Sequence, residues 1–264
     1  LLQCLSRFRY FRKYLLDLGA VYDYLNGMKI ITIIALILCC PALLQGAEPK
    51  KPQPSKPTDF VHHPAPTEPL YISAAWYDEL KKQVKPPPSM TSNTQKNDEA
   101  DLRKVQGTRS KFDCDRANND VLVSLKNFFG GVGPLDRIKI EKLSPFFEQI
   151  RNDGDYFIQK LKVDYPRKRP FSYMKDLKPC VPKEVTGAYP SGHAVLSRLY
   201  ALILGDLYPT ERRAFETRAN LIASDRVLSG VHHPSDVVAG KKIGDLMHAE
   251  LKKSQKYLDA IKVL

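Results

Sequence analysis

An all-α, single-domain helical bundle is the fold that this sequence predicts, and three observations support it. Apolar residues recur at spacings of three and four over most of the chain beyond residue 100, the period of a helix with one buried face. No run alternates apolar and polar residues over the length of a strand. The 264 residues, 43% of them hydrophobic, suffice for one core plus processing segments.

Taken in order, residues 1–27 contain no methionine and are charged and aromatic-rich. They are expected to be upstream translated sequence or a long signal extension, with an amphipathic surface helix built on Arg7, Phe8, Tyr10, Phe11 and Leu15 as the rival. Residues 28–47 run from Met28-Lys29 through apolar Ile30 to Leu38 to small Gly46-Ala47, the pattern of a secretory signal peptide, with cleavage expected after Ala47. The apolar run is too short to span a bilayer, and Leu38 is too large for the position before a lipidated Cys39. Residues 48–69 hold seven prolines among lysines and small polar residues and are expected to be a linker. His62 and His63 lie there without a further metal ligand nearby.

Residues 70–264 are expected to fold as the domain. Leu70 to Val84 reads as a short helix or an arm, and Pro86-Pro87-Pro88-Ser89 breaks the chain. Helices are expected over 101–106, 113–129, 135–162, 191–207, 210–228 and 234–253, with Gly130-Gly131 and Gly133-Pro134 as punctuation. Lys162 falls in the last turn of a long helix that Pro166 ends, which leaves Arg169 on the loop beyond.

The net charge of +12 falls to about +9 once residues 1–47 are set aside. A basic surface of that size attracts phosphorylated small molecules, nucleic acid and anionic membrane alike, so charge alone selects no partner. Beyond residue 47 only Cys114 and Cys180 remain, free to pair or to stay apart in an oxidising compartment.

Chemistry concentrates in three short blocks. Lys162 is followed seven residues on by Arg169-Pro170; then comes Tyr189-Pro190-Ser191-Gly192-His193; then Arg226, His232 and Asp236. The blocks and their spacing resemble the type 2 phosphatidic acid phosphatase and vanadium haloperoxidase superfamily, whose pattern is Lys-x6-Arg-Pro, Pro-Ser-Gly-His and Ser-Arg-x5-His-x3-Asp. Within it the chain looks most like the bacterial class A nonspecific acid phosphatases, because the signal peptide, the proline cluster and the acidic Asp98-Glu99-Ala100-Asp101 resemble the opening of that domain. One position departs: Asp225 precedes Arg226 where a serine is usual.

The resemblance implies a metal-independent acid phosphatase that hydrolyses phosphate monoesters through a phosphohistidine, in the periplasm or secreted. Its site would lie at helix termini in the bundle core. Lys162, Arg169, Ser191, Gly192 and Arg226 would bind the phosphate, the arginines as planar forks and Ser191-Gly192 as a helix start. His232 would be the nucleophile, Asp236 would hold its tautomer, and His193 would protonate the leaving oxygen. Adjacent His233 would be at most pocket wall. Small phosphomonoesters are the expected partners, with no cofactor, no metal, no nucleic acid and no transmembrane anchor in the mature chain, and a homo-oligomer is possible. Rival readings are a lipid or diphosphate phosphatase, suggested by His232-His233-Pro234-Ser235-Asp236, a vanadate-dependent haloperoxidase, and a phosphate-binding surface protein weakened by Asp225.

Overall fold

A computed structural model describes Phe60–Val61 and residues 65–264 of the protein. The expected leader 1–47, most of the Pro-rich segment, and His62 and His63 lie outside the described residues.

Helix formation begins where the prolines thin out. A 3-10 turn over Ala74–Trp76 leads into α1 (Tyr77–Gln83), which stops ahead of Pro86-Pro87-Pro88. Helix α2 (Asn93–Thr108) starts eight residues before its apolar pattern does, because Ser92 accepts the Gln95 amide hydrogen bond at 3.1 Å and supplies an N-cap. Helix α3 (Lys111–Asn119) opens on a capping box formed by Ser110 and Asp113. The single helix expected over 113–129 is broken in two. Residues 120–124 leave the helix, and Ser124 caps a new short one, α4 (Leu125–Phe129).

Helix α5 (Arg137–Asp164) is the longest described. Pro145 removes one hydrogen bond from its ladder without ending it. Burial of the neighbouring Phe146, Phe147 and Ile150 anchors that stretch, each such side chain contributing about 1.5–3 kcal/mol. Lys162 does fall in its last turn. Then follow α6 (Gly192–Leu207), α7 (Arg212–Leu228), α8 (Pro234–Leu251) and α9 (Gln255–Lys262). The described strands are two-residue pieces, β1 (Phe60–Val61) and β2 (Lys183–Glu184), paired in parallel with Val61 opposite Glu184.

Helix α6 is apolar nearly all round, and its largely buried course packs between α7 and α8. Glycine sets the distance to α8. A Cβ on Gly240 would stand 2.7 Å from Ser191 O, and one on Gly244 would stand 2.8 Å from Val195 O. The first turn of α6 is therefore pressed directly against α8, which fixes one motif helix on the other. An aromatic group of Phe128, Phe129, Phe147, Tyr200 and Phe215 fills the opposite side, and Tyr200 Oη donates to Phe147 O at 2.8 Å.

Cys114 and Cys180 form a disulfide between α3 and the loop before β2. His248, which reads from sequence as a solvated surface residue, is instead largely buried against Asp206, with Nε2 2.8 Å from Oδ2.

Candidate active site

The three sequence blocks converge at the end of the bundle where α5 finishes and α6 and α8 begin. Lys162, from the last turn of α5, is 8% exposed and donates to Gly187 O at 2.6 Å and Pro190 O at 2.9 Å. Burial first and the nearby Arg169 charge second lower its pKa to about 7. Its ammonium thus ties the loop before α6 to α5. Arg169 donates through Nε to Thr186 O at 2.9 Å, and through one terminal nitrogen to Val231 O at 3.0 Å and to His232 Nε2 at 2.8 Å. Its other terminal nitrogen donates to Glu184 Oε2 at 2.5 Å.

Those contacts fix proton positions. A guanidinium only donates, so His232 Nε2 is an acceptor and the ring proton sits on Nδ1. Nδ1 faces Asp236 Oδ2 at 3.5 Å, longer than a hydrogen bond, and has no other partner. Asp236 Oδ2 is committed instead to His233, whose backbone amide donates at 2.8 Å and whose Nδ1 lies at 2.9 Å in the capping box of α8. His233 Nε2 lies 2.9 Å from Tyr173 Oη, away from the cations of the cage. So His233 is a fully buried helix cap.

His193, in the first turn of α6, places Nε2 3.0 Å from Asp120 O and 3.2 Å from Val121 O, so this nitrogen donates. Both carbonyls come from the break between α3 and α4. Nδ1 then faces inward, 4.0 Å from Glu184 Oε1. Burial, and then the charge of Arg226, bring His193 to about 3; burial and then Arg169 bring His232 to about 3 as well. Both rings are neutral at ordinary pH in the free protein.

Arg226 is 1% exposed and donates to Ala117 O at 2.6 Å, while its Nε has no partner. Asp225, the departure from the family pattern, turns to Arg116, which donates to its two oxygens at 2.9 and 2.7 Å. Its charge is therefore balanced by α3. Ser191 caps α6, accepting from Ala194 N at 3.4 Å. A Cβ on Gly192 would make only ordinary contact with Ile158, at 3.7 Å, so protein packing does not require glycine there.

Two residues invisible to motif reasoning complete the arrangement. Glu184 lies between Arg169 and His193 and lines, with Lys162, Thr186, Gly192 and His193, a cavity of about 30 Å³. Arg167 binds Asp236 Oδ1 at 2.5 Å, Ser235 Oγ at 2.7 Å, Gln95 Oε1 at 2.5 Å and Asp98 Oδ2 at 2.9 Å. The signal for Arg167 was the acidic run in the middle of α2, whose buried Asp98 needs a cation. Glu184 gave none beyond its charge. A larger groove of about 490 Å³ beside Val84, Pro86 and Val238 is lined by Tyr189 but by none of the expected catalytic or phosphate-binding residues. Among the described residues no group of three or more His, Cys, Asp or Glu is arranged to hold a metal ion.

A family profile described as the PAP2 superfamily matches residues 154–258, the stretch that carries all three blocks. Residues 154–258 form a PAP2 superfamily domain. A non-specific acid phosphatase of Providencia stuartii is 29% identical over 169 residues, covering 59% of this chain and 67% of that protein. An acid phosphatase of Zymomonas mobilis subsp. mobilis is 30% identical over 166 residues, covering 59% of this chain and 62% of that protein. The chain thus matches about three-fifths to two-thirds of each relative's length. Among solved structures, a bacterial vanadium-dependent iodoperoxidase shares the helical fold, with a TM-score of 0.51 and 16% identity over 75% of this chain and 60% of that one.

Proposed function

We propose that this PAP2 domain makes the protein an acid phosphatase that hydrolyses small phosphate monoesters through a phosphohistidine on His232, without a metal. The observation that carries this reading is the gathering of Lys162, Arg169 and Arg226, all buried, around the two imidazoles, Arg226 acting on His193 and Lys162 and Arg169 on His232, whose Nε2 is held as an acceptor. Three desolvated cations beside the single carboxylate of Glu184 leave positive charge that a further anion would offset, and a phosphoryl group needs that charge on its equatorial oxygens. Arg226 Nε, a buried donor without a partner, supports the same assignment.

The monoester arrives as its monoanion, the form that predominates below about pH 6. Its proton passes to His193 Nδ1, which is neutral in the free protein and gains proton affinity beside the dianion left behind. His232 Nε2 attacks phosphorus while the ester P–O bond breaks, and His193 returns the proton to the leaving oxygen. Water then attacks the phosphohistidine, His193 takes its proton, the P–N bond breaks, and the phosphate takes that proton back and leaves as its monoanion, so both imidazoles end neutral. The Asp236 carboxylate, kept charged by its neighbours, offsets the positive charge on His232 during attack.

Hydrolysis of p-nitrophenyl phosphate across pH 4 to 8, with and without a chelator, tests this directly. Activity greatest below about pH 6 and untouched by the chelator is expected. No hydrolysis at any pH, or loss on chelation, overturns it. A second test separates the adjacent histidines: an acid-labile phosphoryl adduct should form in the wild type and in His233→Ala, and be absent in His232→Ala.

A further inference from the structure

We propose that Glu184 is a resident anion of the phosphate cage, one that occupies Arg169 in the free protein and must be displaced by the substrate phosphoryl group. The inference rests on the phosphatase reading and deepens it.

Three contacts in series carry it. Glu184 Oε2 takes one terminal nitrogen of Arg169 at 2.5 Å, the other terminal nitrogen of Arg169 caps His232 Nε2 at 2.8 Å, and Glu184 Oε1 stands 4.0 Å from His193 Nδ1. The carboxylate therefore lies between the two imidazoles, where a phosphoryl group would have to lie to touch both. The free space beside it, about 30 Å³, takes a water or two and not a phosphate ester. The nucleophilic lone pair is likewise covered, since Nε2 accepts from Arg169 until that guanidinium moves. Substrate binding thus requires Arg169 to exchange one anion for another, and both partners of that exchange are freed together.

The charges facing Glu184 come from every side. Arg169 approaches from the loop after α5, Lys162 from the end of α5, His193 from α6, Arg226 from α7 and His232 from the loop before α8, while Arg151 and Asp155 of α5 line the same cavity. Burial alone would push the Glu184 carboxyl up; Arg169, the two imidazoles and Lys162 outweigh burial and hold it well below the usual range. Once phosphate takes those cations, the carboxylate is left beside a second anion. It must swing out or take up a proton, and the second is easier in acid. Competition from Glu184 therefore weakens phosphate binding most at neutral pH.

The test is the inhibition constant of orthophosphate and the KM of p-nitrophenyl phosphate from pH 4.5 to 7.5, in wild type, Glu184→Gln and Glu184→Asp. Removing one negative charge a few ångströms from the bound anion should tighten orthophosphate at pH 7 by about tenfold or more in Glu184→Gln, with a smaller gain at pH 4.5, so the pH dependence flattens. Glu184→Asp, which retracts the charge by one methylene, should fall between. Weaker phosphate binding in Glu184→Gln at every pH would mean that Glu184 only steadies Arg169, and an unchanged pH slope would mean that it does not compete; either result overturns the proposal. Should Glu184→Gln fail to fold, Glu184→Asp decides alone, tighter binding at pH 7 supporting it and equal or weaker binding sinking it. A wild type that neither hydrolyses the ester nor binds orthophosphate brings down the phosphatase reading itself, a distinct outcome.

Discussion

Arg167 and Arg169 are two residues apart on one loop, equally buried, and face opposite fates. Arg167 is surrounded by partners that stay put: Asp98 and Gln95 of α2 on one side, Ser235 and Asp236 of α8 on the other. Arg169 is held by two backbone carbonyls, the Thr186 hydroxyl, a neutral histidine and one carboxylate that stands in the cavity wall. The first arginine binds four side chains through its two terminal nitrogens, leaving only Nε without a partner, and ties the domain together. The second is satisfied only provisionally, with its strongest contact open to replacement by a ligand. On the proposed reading, the contrast separates charge used to fix Asp236 behind His232 from charge kept in reserve for a phosphate in front of it.

The largest expected effect lies on the fixed side. Arg167→Ala strands Asp98 and Asp236, both buried, and removal of one partner from a buried ionic network costs about 3–5 kcal/mol. Chemical denaturation should show that loss, and Arg167→Lys should recover only part of it because an ammonium cannot reproduce the fork. Arg169→Ala should reverse the emphasis: about a hundredfold or greater fall in kcat/KM for p-nitrophenyl phosphate, with a smaller loss of stability than Arg167→Ala. If the two variants lose stability and rate in the same proportion, the distinction between them fails.

The pH dependence of stability sharpens the comparison further. His193 and His232 have folded values of about 3, against roughly 6.5 in an unfolded chain. A depressed value means that the unfolded state binds protons first, so the stability from these rings is full above about pH 6.5 and is lost as pH falls toward 3. Lys162, lowered to about 7, acts in the same direction at higher pH. On the fixed side Asp236 does not titrate in this window. Burial would raise its carboxyl, but the contacts with His232 and His233 hold it well below the ordinary range. The melting temperature of the phosphate-free protein should therefore drop between pH 7 and 5, and orthophosphate, by supplying the counter-charge, should restore more at pH 5 than at pH 7.

How much of this was legible in the sequence follows the same division. The front of the site is written in motifs, since Lys162, Arg169, His193, Arg226 and His232 need specific residue types at fixed spacing from helix ends. The helices carrying them were legible too, α6 best of all because it is apolar nearly all round. The back was not: Arg167 is an unspecified position inside Lys-x6-Arg-Pro, and its partners Gln95 and Asp98 lie some seventy residues away on a helix whose polar surface hides its start. Periodicity also ran straight through the break at 120–124. Yet the carbonyls that hold His193 come from that break, a local departure from helix that serves the site. Glu184 was missed for a different reason: a single carboxylate in a two-residue strand has no pattern, and only the fold brings it to Arg169.

Gly192 offers the mildest and most selective probe of the front. Its position is the first of α6, where alanine is a better helix former than glycine by up to about 1 kcal/mol, and a Cβ there would meet Ile158 at an ordinary 3.7 Å. Nothing in the protein's own packing opposes the change, so Gly192→Ala should leave the melting temperature unchanged or slightly raised. If a phosphoryl group does approach the start of α6, the added methyl group meets the substrate alone, and KM should rise severalfold while stability does not fall. Gly240→Ala is the matching control on the fixed side, because its Cβ would stand 2.8 Å from the Ala194 Cβ and force α6 and α8 apart. That variant should lose stability first. An unchanged KM in Gly192→Ala would mean that phosphate keeps clear of the α6 amides and that the cage is built from side chains.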